Sequence, residues 1–148
     1  MDIAILYEDH DIVVIDKPSG VICNRADTVT QQTIQDWFAE KYQIPIYNSQ
    51  TSSNNQILSD EDYFNQRGGL VHRLDKETSG AMILAKTVEA FVELLRQFRE
   101  REVAKTYLAL THGLWKVAEG EISLPIGRRS DNRQRMGVRE DGRESVTQ

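Results

Sequence analysis

The chain has 148 residues, 39% apolar and 28% charged, ordinary values for one globular domain that buries roughly 70% of its unfolded surface. No apolar run approaches the ~20 residues of a membrane helix, Met1-Asp2-Ile3 opens no leader pattern, and the lone Cys23 closes no internal disulfide, which together point to a reducing cytoplasm. The net charge of −5 is uneven: residues 1–66 carry 3 Lys+Arg against 11 Asp+Glu, whereas 67–148 carry 15 against 12, so the second half can serve a polyanion.

Ile3 to Tyr7 and Ile12 to Ile15 are runs rich in Ile and Val on either side of Glu8-Asp9-His10-Asp11. They predict two short strands joined by a turn, with His10 in solvent. Asp16-Lys17-Pro18-Ser19-Gly20 ends the second strand, because Pro18 has no N–H for a ladder and Gly20 permits a turn. Thr28 to Tyr42 predicts a helix capped by Thr30, with Ile34, Trp37 and Phe38 on one face. Ile44 to Gln66 is polar, with small apolar clusters at Ile46-Tyr47 and Ile57-Leu58. It predicts a long loop with room for one short helix.

Gly68 to Thr87 is the most informative stretch. Gly69-Leu70-Val71 predicts a short strand leading into His72-Arg73-Leu74-Asp75. Lys76-Glu77-Thr78-Ser79-Gly80 is a polar turn, and Ala81-Met82-Ile83-Leu84-Ala85 a buried strand. Asp75 opens the loop, between Arg73 and Lys76 in sequence. On spacing alone, an Asp in such a turn bonds its own backbone. A carboxylate on a rigid strand end also has the chemistry of a nucleophile or base.

Thr87 is the expected cap of a helix running to Glu100. Val88, Phe91, Leu94, Leu95 and Phe98 form its core stripe, and Arg96, Arg99 and Arg101 suit the negative end of its dipole. Glu102 to His112 alternates as a strand, with Thr106, Leu108 and Leu110 on one face and Lys105, Tyr107 and Ala109 on the other; His112 is read as structural. Glu119 to Leu124 predicts another strand. Pro125-Ile126-Gly127-Arg128 follows, then Arg129, Asn132, Arg133, Arg135 and Met136. Ser145-Val146-Thr147 reads as the opening of a further strand. The three histidines are scattered without ligand spacing, and no Gly-rich phosphate loop or nucleophile elbow is present. No metal, nucleotide or redox cofactor is expected.

The run from His72 to Gly80, with the apolar strand and Ala85-Lys86-Thr87 behind it, resembles the signature of the RluA-type RNA pseudouridine synthases. Lys17-Pro18-Ser19-Gly20 is similar to that family's Lys-Pro-x-Gly turn. Lys105-Thr106-Tyr107-Leu108-Ala109 is similar to its Lys-x-Tyr-x-Ala motif, and Pro125-Ile126-Gly127-Arg128 to its Pro-Ile-Gly-Arg segment. The family's later Thr-Gly-Arg and His-Gln-Ile-Arg elements have no counterpart in the 148 residues. The resemblance implies an α+β fold: a mixed, mostly antiparallel sheet with helices packed on it. It implies one catalytic domain over 1–148, incomplete at the C-terminus, and isomerisation of specific uridines in rRNA or tRNA to pseudouridine.

In the family the motif's aspartate is the nucleophile, which falls on Asp75, and the motif's tyrosine lies beside the uracil, which falls on Tyr107. A base cannot turn inside a helix, so the uridine must be flipped out. Arg73, with a planar guanidinium that stacks on bases, is the expected filler of the vacancy. Lys17, Lys76, Arg128, Arg129, Arg133 and Arg135 are expected to hold phosphates. An RNA-binding module without catalysis, and a hydrolase releasing free uracil, are the competing readings. A further expectation is that the 148-residue chain is inactive, and either marginally stable or self-associating through an unpaired sheet edge.

Overall fold

The computed structural model describes residues 1–46, 59–114, 117–132 and 135–148. The apolar clusters expected around Tyr47 and Ile57-Leu58 lie outside them. The chain divides into two compact units, Met1–Lys105 and Thr106–Gln148.

The first unit is built on an antiparallel sheet of β1 (Ala4–Glu8), β2 (Ile12–Lys17) and β3 (Gly80–Ala85), in that order. Asp9 closes the β1–β2 turn: its Oδ1 accepts from the N–H groups of Asp11 and Ile12, at 2.8 Å each. These bonds hold its carboxyl below the usual carboxylate range. His10 is exposed in that turn, as expected. The β2–β3 ladder runs without a break from Ile12↔Ala85 to Lys17↔Gly80. Val13, Ile15, Met82 and Leu84 leave the sheet on the buried side and pack with Ile34, Trp37 and Phe38.

The helix that carries those last three residues is α1 (Ile34–Tyr42), capped by Thr33 and not by Thr30. The reason is local. Three residues beyond Thr33 stands Asp36, whose Oδ2 accepts from the Thr33 N–H at 2.8 Å, while Thr33 Oγ1 accepts from the Asp36 N–H at 3.1 Å. Three residues beyond Thr30 stands Thr33, which has no carboxylate to complete such a box.

The polar stretch before the central motif holds α2 (Asp60–Arg67), capped by Ser59. Asp60, Glu61 and Asp62 fill its first turn, where the helix dipole favours anions. Gly68 ends the helix in the left-handed region, and Gly69 follows with φ of +72°. A Cβ on Gly69 would meet the Ala85 carbonyl oxygen at 2.4 Å and a Phe38 ring carbon at 2.6 Å. The expected strand at 69–71 is reduced to a single bridge, Leu70↔Leu84, beside a bond from the Ala85 N–H to the Gly69 carbonyl.

Helix α3 (Val88–Glu100) starts at its expected cap, Thr87. Phe91 is buried, with Tyr63 and Phe64 of α2 each meeting it edge-on at 5.5 Å between ring centroids. Val88, Leu94, Leu95 and Phe98 are half-buried against the same cluster. Arg96 binds the carboxylates of Glu93, Glu100 and Glu102.

Residues 102–112 do not form the expected strand. Leu108 and Leu110 are fully exposed, His112 is exposed, and no strand among the described residues pairs with this segment. Alternation marks a chain able to lie in a sheet, but a strand also needs a neighbour to take its N–H and C=O groups.

The second unit is an antiparallel sheet in the order β5-β4-β6, from β4 (Ile122–Arg128), β5 (Met136–Val138) and β6 (Arg143–Thr147). Strand β4 continues through Pro125-Ile126-Gly127-Arg128, which the sequence presents as a segment following the strand. Pro125 is tolerated because the β5 ladder starts only at Ile126, and Pro125 needs to offer only its carbonyl, which accepts from Arg139 at 3.0 Å. The expected strand at 145–147 is present and pairs with β4 from Ile122↔Thr147 to Ile126↔Arg143. No helix among the described residues is long and apolar enough to cross a membrane.

Candidate active site

The loop after His72-Arg73-Leu74 is fixed from behind by the turn that ends β2. Cys23 Sγ donates to the Leu74 carbonyl at 3.1 Å. The Gly20 N–H and Lys17 Nζ both donate to the Lys76 carbonyl, at 2.8 and 3.1 Å. Ser19 Oγ donates to the Glu77 carbonyl at 2.8 Å. The carbonyls on either side of Asp75 are thus gripped by residues 17–23, more than fifty positions away in sequence. Gly20 reaches this position with φ of +85°, a backbone state that favours glycine.

Lys17 is the centre of the grip. It is fully buried, and its ammonium donates to the carbonyls of Pro18, Val21 and Lys76 at 3.0, 2.8 and 3.1 Å. An ammonium has three N–H donors, and all three are engaged. Three carbonyl dipoles replace the water a buried cation would otherwise lose. The expectation that Lys17 holds an RNA phosphate is therefore corrected: its ammonium faces the protein's own backbone.

Asp75 itself is exposed. Its backbone carbonyl accepts from the Thr78 N–H at 3.1 Å, closing the turn. Its carboxylate makes no hydrogen bond or ion pair among the described residues, so it does not bond its own backbone as a simple turn aspartate does. Arg73 and Lys76 are also exposed, and neither pairs with it. The backbone of this loop is held while three charged side chains remain available.

Just before them, His72 is half-buried. Its Nε2 accepts from the Ile83 N–H of edge strand β3 at 3.1 Å, and its ring stacks on Phe98 at 4.6 Å and 21°. Burial, with a smaller contribution from the charge of Lys105, pushes its pKa down to about 4. The imidazole is therefore neutral near pH 7, with its proton on Nδ1. The sequence gives no local signal for this role, because both partners lie at a distance along the chain.

Tyr107 lies in the second unit, exposed. Arg128 ends β4, and its carbonyl accepts from Arg139 Nη1 at 3.3 Å. Arg129 forms a two-pronged pair with Asp131, at 2.8 and 2.6 Å, which raises the arginine's pKa and lowers the aspartate's. The Arg129 N–H donates to the Arg135 carbonyl at 2.9 Å, so both arginines sit on one hairpin, and the Arg135 side chain is exposed. Arg133 lies outside the described residues. The expected site residues thus fall into two groups: Lys17, Arg73, Asp75 and Lys76 in the first unit, and Tyr107, Arg128, Arg129 and Arg135 in the second.

A family model described as RNA pseudouridylate synthase matches residues 11–148. An uncharacterized RNA pseudouridine synthase of Aquifex aeolicus is 39% identical over 146 residues, covering 99% of this chain and 42% of the relative. Ribosomal large subunit pseudouridine synthase D of Pseudomonas aeruginosa is 36% identical over 148 residues, covering 99% of this chain and 40% of that protein. Among solved structures, human RNA Pseudouridylate Synthase Domain Containing 1 superposes with a TM-score of 0.68 at 26% identity, over 98% of this chain and 50% of that one. The chain spans about two-fifths of the length of these curated relatives. A mixed α+β fold, the gripped loop around Asp75 and a match across nearly every residue converge: the chain belongs to the RNA pseudouridylate synthase family, of RluA type.

Proposed function

We propose that this chain carries the nucleophile-bearing loop of an RNA pseudouridine synthase, an isomerase that converts a uridine in RNA to pseudouridine. The observation that carries the reading is Asp75: an exposed carboxylate with no hydrogen bond or ion pair among the described residues, on a loop whose flanking carbonyls are gripped by residues 17–23. A nucleophile needs a fixed position and a free functional group, and this arrangement supplies both. The relatives named for the large ribosomal subunit support ribosomal RNA as the substrate class.

The reaction breaks the bond from uracil N1 to ribose C1′ and forms one from C5 to C1′; C5 gives up its proton and N1 takes one up. Product and substrate are isomers, so no co-reactant enters. The uridine must leave its stack. Arg73, exposed two residues before Asp75, fills the gap with its flat guanidinium. Asp75 attacks the nucleoside or assists loss of the base, and Tyr107 lies along the ring and handles the C5 proton. Lys76 and the arginines at 128, 129, 133 and 135 contact phosphates, which position the strand without reading its sequence.

The test is Asp75→Asn in the full-length protein, a near-isosteric loss of charge. Pseudouridine formation on ribosomal RNA should fall below detection, while circular dichroism and RNA affinity stay unchanged. A near-normal rate overturns the assignment, and release of free uracil by the wild type assigns a hydrolase instead.

A further inference from the structure

One ring in the first unit touches two of the motifs. Phe98, near the end of α3, carries the imidazole of His72 in a 4.6 Å stack. It also carries the ammonium of Lys105, 5.9 Å from its centroid. His72 begins the segment that leads to Arg73 and Asp75, and Lys105 begins the Lys-x-Tyr-x-Ala segment, two residues before Tyr107. Phe98 is only half-buried, so its burial alone does not account for an aromatic residue there. On the side of the strand, His72 is tied to β3 through the Ile83 N–H. The path from β3 to α3 therefore runs through a histidine ring and a phenylalanine ring, with a lysine at the end.

We propose that Phe98 is a positioning residue, acting through His72 and Lys105 to set the Asp75 segment and the last residue of the first unit against one helix. This rests on the reading of Asp75 given above. A flat ring is required on both counts: it stacks on imidazole, and its face attracts a cation. An aliphatic side chain of similar volume fills the space but does neither. The neutral state of His72 belongs to the same device, because only an unprotonated Nε2 can accept from Ile83. Lys105, the charge that bears on His72, disfavours protonation.

The experiment uses the full-length protein with Phe98→Leu, Phe98→Tyr and Lys105→Met. The first readout, the His72 imidazole titration by NMR, needs no activity. The wild-type ring should titrate near 4. Phe98→Leu opens it to water and Lys105→Met removes a repelling charge, so both should move the titration upward, whereas Phe98→Tyr should leave it in place. The second readout is steady-state pseudouridine formation. Phe98→Leu should lower kcat at least tenfold with KM for RNA within about twofold, and Phe98→Tyr should recover most of the loss. An unmoved His72 titration in both Phe98→Leu and Lys105→Met overturns the proposal. So does a folded Phe98→Leu protein with wild-type kcat. If the wild type itself forms no pseudouridine, the functional reading falls, and the NMR readout still decides whether Phe98 joins the two segments.

Discussion

At the scale of single residues, the division between Lys17 and Asp75 is instructive. Both are charged and both sit in motif segments, yet one is fully buried against carbonyls and the other is exposed, with no partner among the described residues. The buried charge organises; the exposed one is available for chemistry. The same distinction separates His72, held by Ile83 and Phe98, from Tyr107, whose ring is exposed in the second unit. If the Tyr107 hydroxyl moves a proton, Tyr107→Phe should lower kcat by roughly 10²–10⁴-fold, the range for a general acid–base group. Single-turnover pseudouridine assays on the full-length protein check this. A Phe variant at the wild-type rate would leave Tyr107 with stacking alone.

At the scale of elements, the sharpest constraint lies where α2 passes into the central motif. Gly69 approaches the Ala85 carbonyl too closely for any side chain and has a positive φ. Gly69→Ala should therefore cost at least about 2 kcal/mol, from left-handed strain and overpacking together. Urea unfolding measures it, and a loss below about 0.5 kcal/mol would mean that the backbone shifts freely there. Elements with strong apolar patterns were legible in the sequence: the β1–β2 hairpin, buried β3, and α3 from its Thr87 cap. The start of α1 was not, since Thr30 and Thr33 look alike until the Asp36 box is considered. Helix α2 has few apolar residues and is fixed by its caps and by Phe64 against Phe91. The alternating stretch at 102–112 announced a strand without revealing whether a neighbour would be beside it. The polar loop that carries Arg73, Asp75 and Lys76 was readable from its composition, whereas the burial of Lys17 was not, because the Lys76 carbonyl it binds lies 59 positions away.

At the scale of the molecule, charge is distributed by half. The basic second half holds the arginine hairpin, and its Arg129 is already paired with Asp131. If that hairpin binds RNA phosphates, affinity should fall steeply with salt, and replacing Arg128, Arg129 and Arg135 by Ala should flatten the slope by roughly one unit of log–log dependence per lost phosphate contact. Filter binding across a salt series reads this, and an unchanged slope would place the RNA elsewhere. The grip of residues 17–23 on the loop carries a consequence of another kind. The Gly20 amide hydrogen is closed off only while the loop is seated, so its exchange with deuterated water times how often the loop lifts away. Lys17→Met, which keeps the buried stem and deletes the donors, should speed that exchange selectively, leaving amides in the middle of the β2–β3 ladder slow. One backbone proton thus serves as a clock for the readiness of the site, readable without any RNA present.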